Sequence, residues 1–284
     1  MSYLHQIQQC NLYQPDHFIP FKIAGLKVGE IKHPFAQSLL EISDAFHKDH
    51  NALHWNTPAT DFASRNQAMF ELTEKLLEAN LVPYLHGELY PVTTGQREQV
   101  LFLMDRALVS YFGVAAFGQH MNGYVRRQGE IHMWIARRSL QKRHAPGMLD
   151  HLVAGGFPWG LSSDENLAKE CWEEAGIPAE LAAQAKHVGK ISYRREVEQG
   201  LKPDTMLCYD LELPEDFIPR CTDGEVENFQ LWPLERVAQT IQNSSDIKLN
   251  CNLVMIDFLI RHGYITRNHA EYSDLKNGLM KIPE

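Results

Sequence analysis

The stretch AGGFPWGLSSDENLAKECWEEAGI, residues 154–177, constrains this chain most, because both ends of one helix are written into it. Ser162 followed three residues later by Glu165 has the form of a capping box, so a helix is expected to begin near Ser163. Gly176 offers a left-handed C-terminal residue, and Pro178 follows it. Between these ends, Leu167 and Cys171 are four apart and can face a core, while Glu170, Glu173 and Glu174 share another side. A solvated acidic face is the simplest account of three such glutamates. It fits this place poorly, since like charges at that spacing repel and carboxylates near a helix C-terminus oppose the macrodipole. The turn before the helix, with Gly155, Gly156, Pro158 and Gly160, brings backbone close to the carboxylates. Three convergent oxygen donors suit a hard divalent cation, Mg²⁺ or in its place Mn²⁺, which keeps waters and bridges to phosphate.

The rest of the composition narrows the partners. At 284 residues the chain is long for one core, and two domains, or one with a large extension, are expected. A formal net charge of -9 gives no general attraction to nucleic acid or to an anionic membrane, so neither is expected as a partner. No apolar run approaches the roughly 20 residues of a membrane helix. The start, MSYLHQIQQC, lacks the basic flank and apolar stretch of a secretory signal. Cys10, Cys171, Cys208, Cys221 and Cys251 are odd in number, scattered and without a Cys-x-x-Cys pair. A disulfide framework or zinc site is therefore not expected, and a cytoplasmic location is.

Along the chain, FIPFKIAGLKVGEIK reads as a hairpin about Ala24-Gly25. Helical spacing of Met69, Leu72, Leu76 and Leu77 predicts a helix over 65–79, and Val100, Leu101, Met104 and Leu108 predict another over 98–109. From about Tyr111 the texture changes to strands rich in β-branched and aromatic residues: YFGVAAFGQHMNGYVRR, IHMWIARRS, KHVGKISYRR, TMLCYDLEL and EVENFQLWP. Helices are expected at 163–175, at 233–242 and in NLVMIDFLIRHG, with Gly263 as its cap. The order predicts an α/β (α+β) layered domain over 111–284, preceded by a smaller α+β domain over 1–110.

The segment from Gly155 to Ile177 resembles the Nudix box of the Nudix hydrolases. That box reads Gly, five residues, Glu, seven residues, Arg-Glu, an aliphatic residue, any residue, Glu-Glu, any residue, Gly, aliphatic. Lys169-Glu170-Cys171-Trp172-Glu173-Glu174-Ala175-Gly176-Ile177 takes the end, with correct spacing from Gly155. Two positions depart: Leu161 replaces the early glutamate, and Lys169 replaces the arginine. Lysine keeps the charge but not the planar fork. Further segments, FGQHMNGYV, WIARRS, PGMLDHLVAGG, DGEVENF and, in the first third, FIPFKIAGLKVGEI and HGELYPV, look like the thiamine pyrophosphokinase-related group with an N-terminal extension.

The resemblance implies a mixed-sheet α/β/α sandwich and Mg²⁺-dependent hydrolysis of a small organic diphosphate, thiamine diphosphate or its oxidised and damaged derivatives. It implies that Glu170, Glu173 and Glu174 hold the metal, with Lys169 beside Glu173. Glu225, or its neighbour Glu227, would supply a further carboxylate. Gly155 and Gly156 would floor the site, Arg137 would clamp the diphosphate, and His120 and Asn122 would line the organic half. Trp134 and Trp172 read as packing residues. Three rivals share the pattern. One is hydrolysis of a nucleoside diphosphate derivative of the ADP-ribose or NADH type. Another is a diphosphate isomerase, for which Cys208 is the one nominee. The last is a non-catalytic ligand sensor, favoured by Leu161 alone. The first third could cover the site, pair two subunits into a homodimer or stabilise the fold.

Overall fold

Ala24 (φ 48) and Gly25 (φ 79) both take the left-handed region that a two-residue hairpin turn demands, and the expected hairpin forms around them. The computed structural model describes residues 2–280. Helix α1 (Tyr3–Cys10) leads into the hairpin strands β1 (Phe18–Ile23) and β2 (Leu26–Lys32), then α2 (His33–Ile42), β3 (Phe46–Lys48) and β4 (Leu53–Trp55). There follow α3 (Phe62–Glu78), β5 (Leu89–Thr93), β6 (Val100–Asp105) and the one-turn α4 (Val109–Phe112). The remainder runs β7 (Phe117–Arg127), β8 (Glu130–Arg138), β9 (Leu149–Asp150), β10 (Val153–Gly156), α5 (Ser163–Ala175) and α6 (Ala179–Ala182). It closes with β11 (Lys186–Glu196), β12 (Leu201–Glu212), β13 (Val226–Pro233), α7 (Leu234–Asn243), α8 (Leu249–Arg261) and α9 (Tyr272–Met280).

The helix expected over 98–109 is a correction. Residues Val100–Asp105 form strand β6, paired antiparallel with β5. A short apolar run cannot be told from helix by spacing alone, and here the partner strand decides. Phe102 and Met104, two apart, are the fully buried pair of one strand face.

The first unit has a four-stranded sheet in the order β2-β1-β4-β3, with β1 and β4 parallel. Phe21, Leu39, Leu53, Leu76, Phe102 and Phe112 fill its core. In the second, the main path of the sheet is β11-β12-β7-β8-β13, mixed because β12 and β7 run parallel. One face is covered by α5 and α6 through Leu167, Cys171, Ala175 and Ala182 against Met121, Val125 and Leu211. The other is covered by α1, α7, α8 and α9, with Val237, Ile241, Met255, Phe258 and Leu259 buried against Met133, Ile135 and Met206. The result is an α/β/α sandwich. Helix α1 belongs spatially to this second core, since Tyr3, Ile7 and Cys10 pack within it.

What places the functional segment is a split in the sheet. Over Tyr124–Arg127 strand β7 pairs with β8, but earlier it pairs with β10 through Val153↔Met121 to Gly156↔Gly118. Strand β9 meanwhile pairs with β8 through Ala136↔Asp150. Residues 149–156 are thus wedged between β7 and β8 and deliver Gly155 and Gly156 to the start of β7.

Candidate active site

Helix α5 begins as its residues dictate. Ser162 accepts from the Glu165 backbone N–H at 3.3 Å, and Glu165 in turn accepts from the Ser162 N–H at 2.9 Å. At the far end Gly176 (φ 63) is left-handed, and the Gly176 and Ile177 amides bond to Trp172 and Cys171 carbonyls, both at 3.0 Å. Two further carbonyls of the last turn are taken by a distant segment. Arg220 N–H donates to Ala175 O at 2.9 Å and Thr222 N–H to Glu173 O at 2.8 Å. That docking carries the following turn, with Asp223 and Glu225, to the glutamate face.

The three glutamates of α5 differ in setting. Glu174 is buried and accepts the Ala154 N–H at 2.7 Å. Burial, with the charges of Glu170, Asp150 and Glu225, pushes its carboxyl up to about 8 against that hydrogen bond. Glu170 is packed on Gly155, where a β-carbon would lie 2.2 Å from its carboxyl carbon, and burial raises its pKa too. Glu173 is the more open. The Lys169 ammonium bridges the two, 2.7 Å from Glu173 and 3.3 Å from Glu170. A cationic group already centred among hard oxygen donors, beside a buried carboxylate that resists ionising without more positive charge, is the environment a divalent cation fits.

These groups lie in a cavity of about 730 Å³. The glutamates, Gly155, Gly156, Lys169, Glu225 and His120 all line it, as do Lys142, Lys202 and Lys248. Glu225 is ion-paired with Lys142. Beyond the carboxylates, Asp204 accepts from the Tyr193 hydroxyl at 2.8 Å, while its buried Oδ1 has no partner among the described residues. The first unit supplies another wall, including Glu88, Tyr90 and Arg106.

Four expectations are corrected. Arg137 does not reach the cavity: successive strand residues face opposite ways, so Arg138 lines it, while Arg137 donates to Gly147 O at 2.7 Å. Asn122 lies two residues beyond His120 along β7 and is fully buried, donating to Asp210 at 3.2 Å. Glu227 is exposed and does not line the cavity. Trp172 does not pack, being 55% exposed, whereas Trp134 is buried. Cys208 is buried in the helix-side core, and burial pushes its thiol up to about 12, which leaves an isomerase without its proton carrier.

Residues 122–252 match the NUDIX domain, and residues 2–116 match a domain of unknown function, DUF4743. Nudix hydrolase 20, chloroplastic, of Arabidopsis thaliana is 42% identical over 285 residues, covering 96% of this chain and 76% of that protein. Nudix hydrolase 24, chloroplastic, of the same plant is 41% identical over 278 residues with the same coverage. The chain belongs to the Nudix hydrolases. Among solved structures, a MutT protein from Methanosarcina mazei Go1 resembles it with a TM-score of 0.40 at 18% identity, over 53% of this chain and 96% of that one.

As a Nudix hydrolase the protein is a pyrophosphohydrolase of small-molecule diphosphates, a chemistry that employs a divalent cation. The cytoplasmic expectation is overturned, because both plant relatives are chloroplastic by name. No helix among the described residues is long and apolar enough to cross a membrane.

From the cavity wall inward this Nudix hydrolase carries a buried polar network, of which only His120 was named as a site residue from sequence. His120 Nδ1 and His151 Nε2 are 2.8 Å apart. Asp150 accepts from Arg138 at 3.0 Å, from Lys248 at 3.3 Å and from the Cys251 thiol at 2.7 Å. The ligand atoms of His120, His151 and Cys251 lie within 4.8 Å of one another. His120 and His151 bond to each other while the thiol donates to Asp150, with the cations Arg138 and Lys248 beside them. The network's members come from β7, β8, the end of β9 with the residue after it, and the start of α8 with the residue before it, so no local motif announces them.

Proposed function

We propose that this Nudix hydrolase uses Mg²⁺ to convert thiamine diphosphate, or its oxidised and damaged derivatives, to the monophosphate and phosphate. The observation that carries the reading is one cavity with Glu170, Glu173 and Glu174 at one side and Lys142 and Lys202 in the same lining. Such a site sets carboxylates for a metal in one lining with ammonium groups, paired to Glu225 and Asp204, that are able to engage phosphate oxygens. The likeness of HGELYPV and PGMLDHLVAGG to the thiamine pyrophosphokinase-related group supports thiamine compounds. The buried Asp204 oxygen supports an organic group with an N–H donor, which the thiamine aminopyrimidine has.

In this reading Glu170, Glu173 and Glu174 hold the cation, and Gly155 and Gly156 keep the floor clear of side chains. A divalent cation held there would supply charge neutralisation for the diphosphate and a lowered pKa for a water. Lys169 orients Glu173 as a point charge rather than a fork. Glu225, close enough for its charge to act on Glu174, takes the proton of the attacking water. The new bond forms from water oxygen to the terminal phosphorus. The bridging P–O bond breaks, and its oxygen stays with the monophosphate.

Adenine offers an N–H donor as well, so nucleoside diphosphate derivatives are the comparison to make. Product formation from thiamine diphosphate and its oxidised forms is measured beside ADP-ribose, NADH and nucleoside diphosphates, with wild type and Glu173→Gln. Turnover of the thiamine compounds, lost without Mg²⁺ and reduced at least about 100-fold in the variant, is expected. Preference for a nucleotide would keep the chemistry and sink the thiamine assignment.

A further inference from the structure

The first unit touches the glycine floor directly. A β-carbon on Gly156 would lie 1.8 Å from the Tyr90 hydroxyl and 3.5 Å from the Arg106 guanidinium carbon, so these two groups occupy the space beside that residue. The next residues of the loop are gripped as well. Arg97 donates to Pro158 O at 2.6 Å, with its Cζ 3.4 Å from the Phe157 ring centroid, and Trp159 N–H donates to Leu89 O at 2.7 Å.

Arg106 is the exposed cation of this contact. Its backbone is fixed: Arg106 N–H donates to Glu88 O at 2.8 Å. Next to it the Asp105 carboxylate accepts the N–H groups of His86, Gly87 and Ala107 at 2.9, 2.8 and 2.8 Å. Nη1 pairs with Glu88 at 2.8 Å, and a guanidinium has five donors in a rigid fork. The charge of Glu170 is near enough to act on both Arg106 and Tyr90. Tyr90, its hydroxyl pushed up to about 12 by burial, stays a hydrogen-bond donor.

We infer that the N-terminal unit, a domain of unknown function, is a working wall of the active site, and that Arg106 grips the substrate's diphosphate. The inference rests on the diphosphatase reading above. A preorganised fork at the edge of the glycine floor suits bidentate contact with phosphate oxygens. It gives the extension a role in binding that a covering or stabilising segment would not have.

The test is calorimetric titration of methylenediphosphonate, a non-hydrolysable diphosphate, with Mg²⁺ onto the full chain. Arg106→Ala is expected to weaken binding about 10- to 100-fold with an unchanged melting temperature, and Arg106→Lys to recover part of it. Arg106→Gln, which keeps much of the stem, reports the same loss should the alanine variant not fold. Arg126→Ala, at an exposed ion pair with Glu212, controls for net charge. Wild-type affinity in both Arg106→Ala and Arg106→Gln, or an equal loss in Arg126→Ala, overturns the inference while leaving the diphosphatase reading in place. Failure of the wild type to bind the diphosphonate overturns both.

Discussion

A β-carbon at Gly155 would fall 2.2 Å from the Glu170 carboxyl carbon and 2.3 Å from its Oε2, a distance no side chain tolerates. Gly155→Ala must therefore push Glu170 off its position. Misplacement of a reacting group by about 1 Å can cost on the order of 100-fold in rate. The alanine variant is expected to lose roughly that much in kcat, measured by steady-state kinetics, while its circular dichroism stays native. Wild-type turnover would mean that the position of Glu170 is not critical. Lys169 shows the same economy of space: one ammonium within 3.3 Å of two carboxylates keeps the glutamate face from repelling itself.

At the scale of the element, α5 is held at both ends by different means. Its start is local, a reciprocal Ser162–Glu165 box, so Ser162→Ala is expected to cost about 1 kcal/mol, read from the denaturation midpoint at constant slope. A change below about 0.3 kcal/mol would show that packing of Leu167 and Cys171 already fixes that end. Its finish is partly tertiary, through Arg220 and Thr222 on the Ala175 and Glu173 carbonyls. This is why Glu225, 50 positions beyond Ala175 at the end of the helix, reaches the same cavity.

Over the whole molecule, the buried network of His120, His151, Asp150, Arg138, Lys248 and Cys251 couples stability to pH. Burial, then Lys248 and Arg138, against the pull of Asp150, lowers the His151 pKa from 6.5 to about 4, and burial with its neighbours holds His120 down as well. The unfolded chain takes up these protons first as pH falls, so stability is full above the ordinary histidine range and is lost between about 6.5 and about 4. His151 alone accounts for about 2 kcal/mol of loss by about pH 5. Thermal melts from about pH 7 to about pH 5 should show this decline, and His151→Gln should flatten it. An equal slope in the variant would place the acid sensitivity elsewhere.

Residues 154–177 alone determined the glutamate helix, its two caps and the face shared by Glu170, Glu173 and Glu174, because capping and helical period are local properties. The hairpin about Ala24-Gly25 was legible for the same reason, whereas the α/β/α sandwich followed from the resemblance to the Nudix hydrolases. Strand β6 was not, since its apolar spacing fits helix and strand alike until β5 pairs with it. Only the tertiary structure decided that Arg138 and not Arg137 faces the cavity, that Asn122 is sealed beside Asp210, and that Tyr90 and Arg106 border the glycine floor. Those outcomes depend on strand facing and on contacts between residues far apart in the chain, which no run of neighbouring residues encodes.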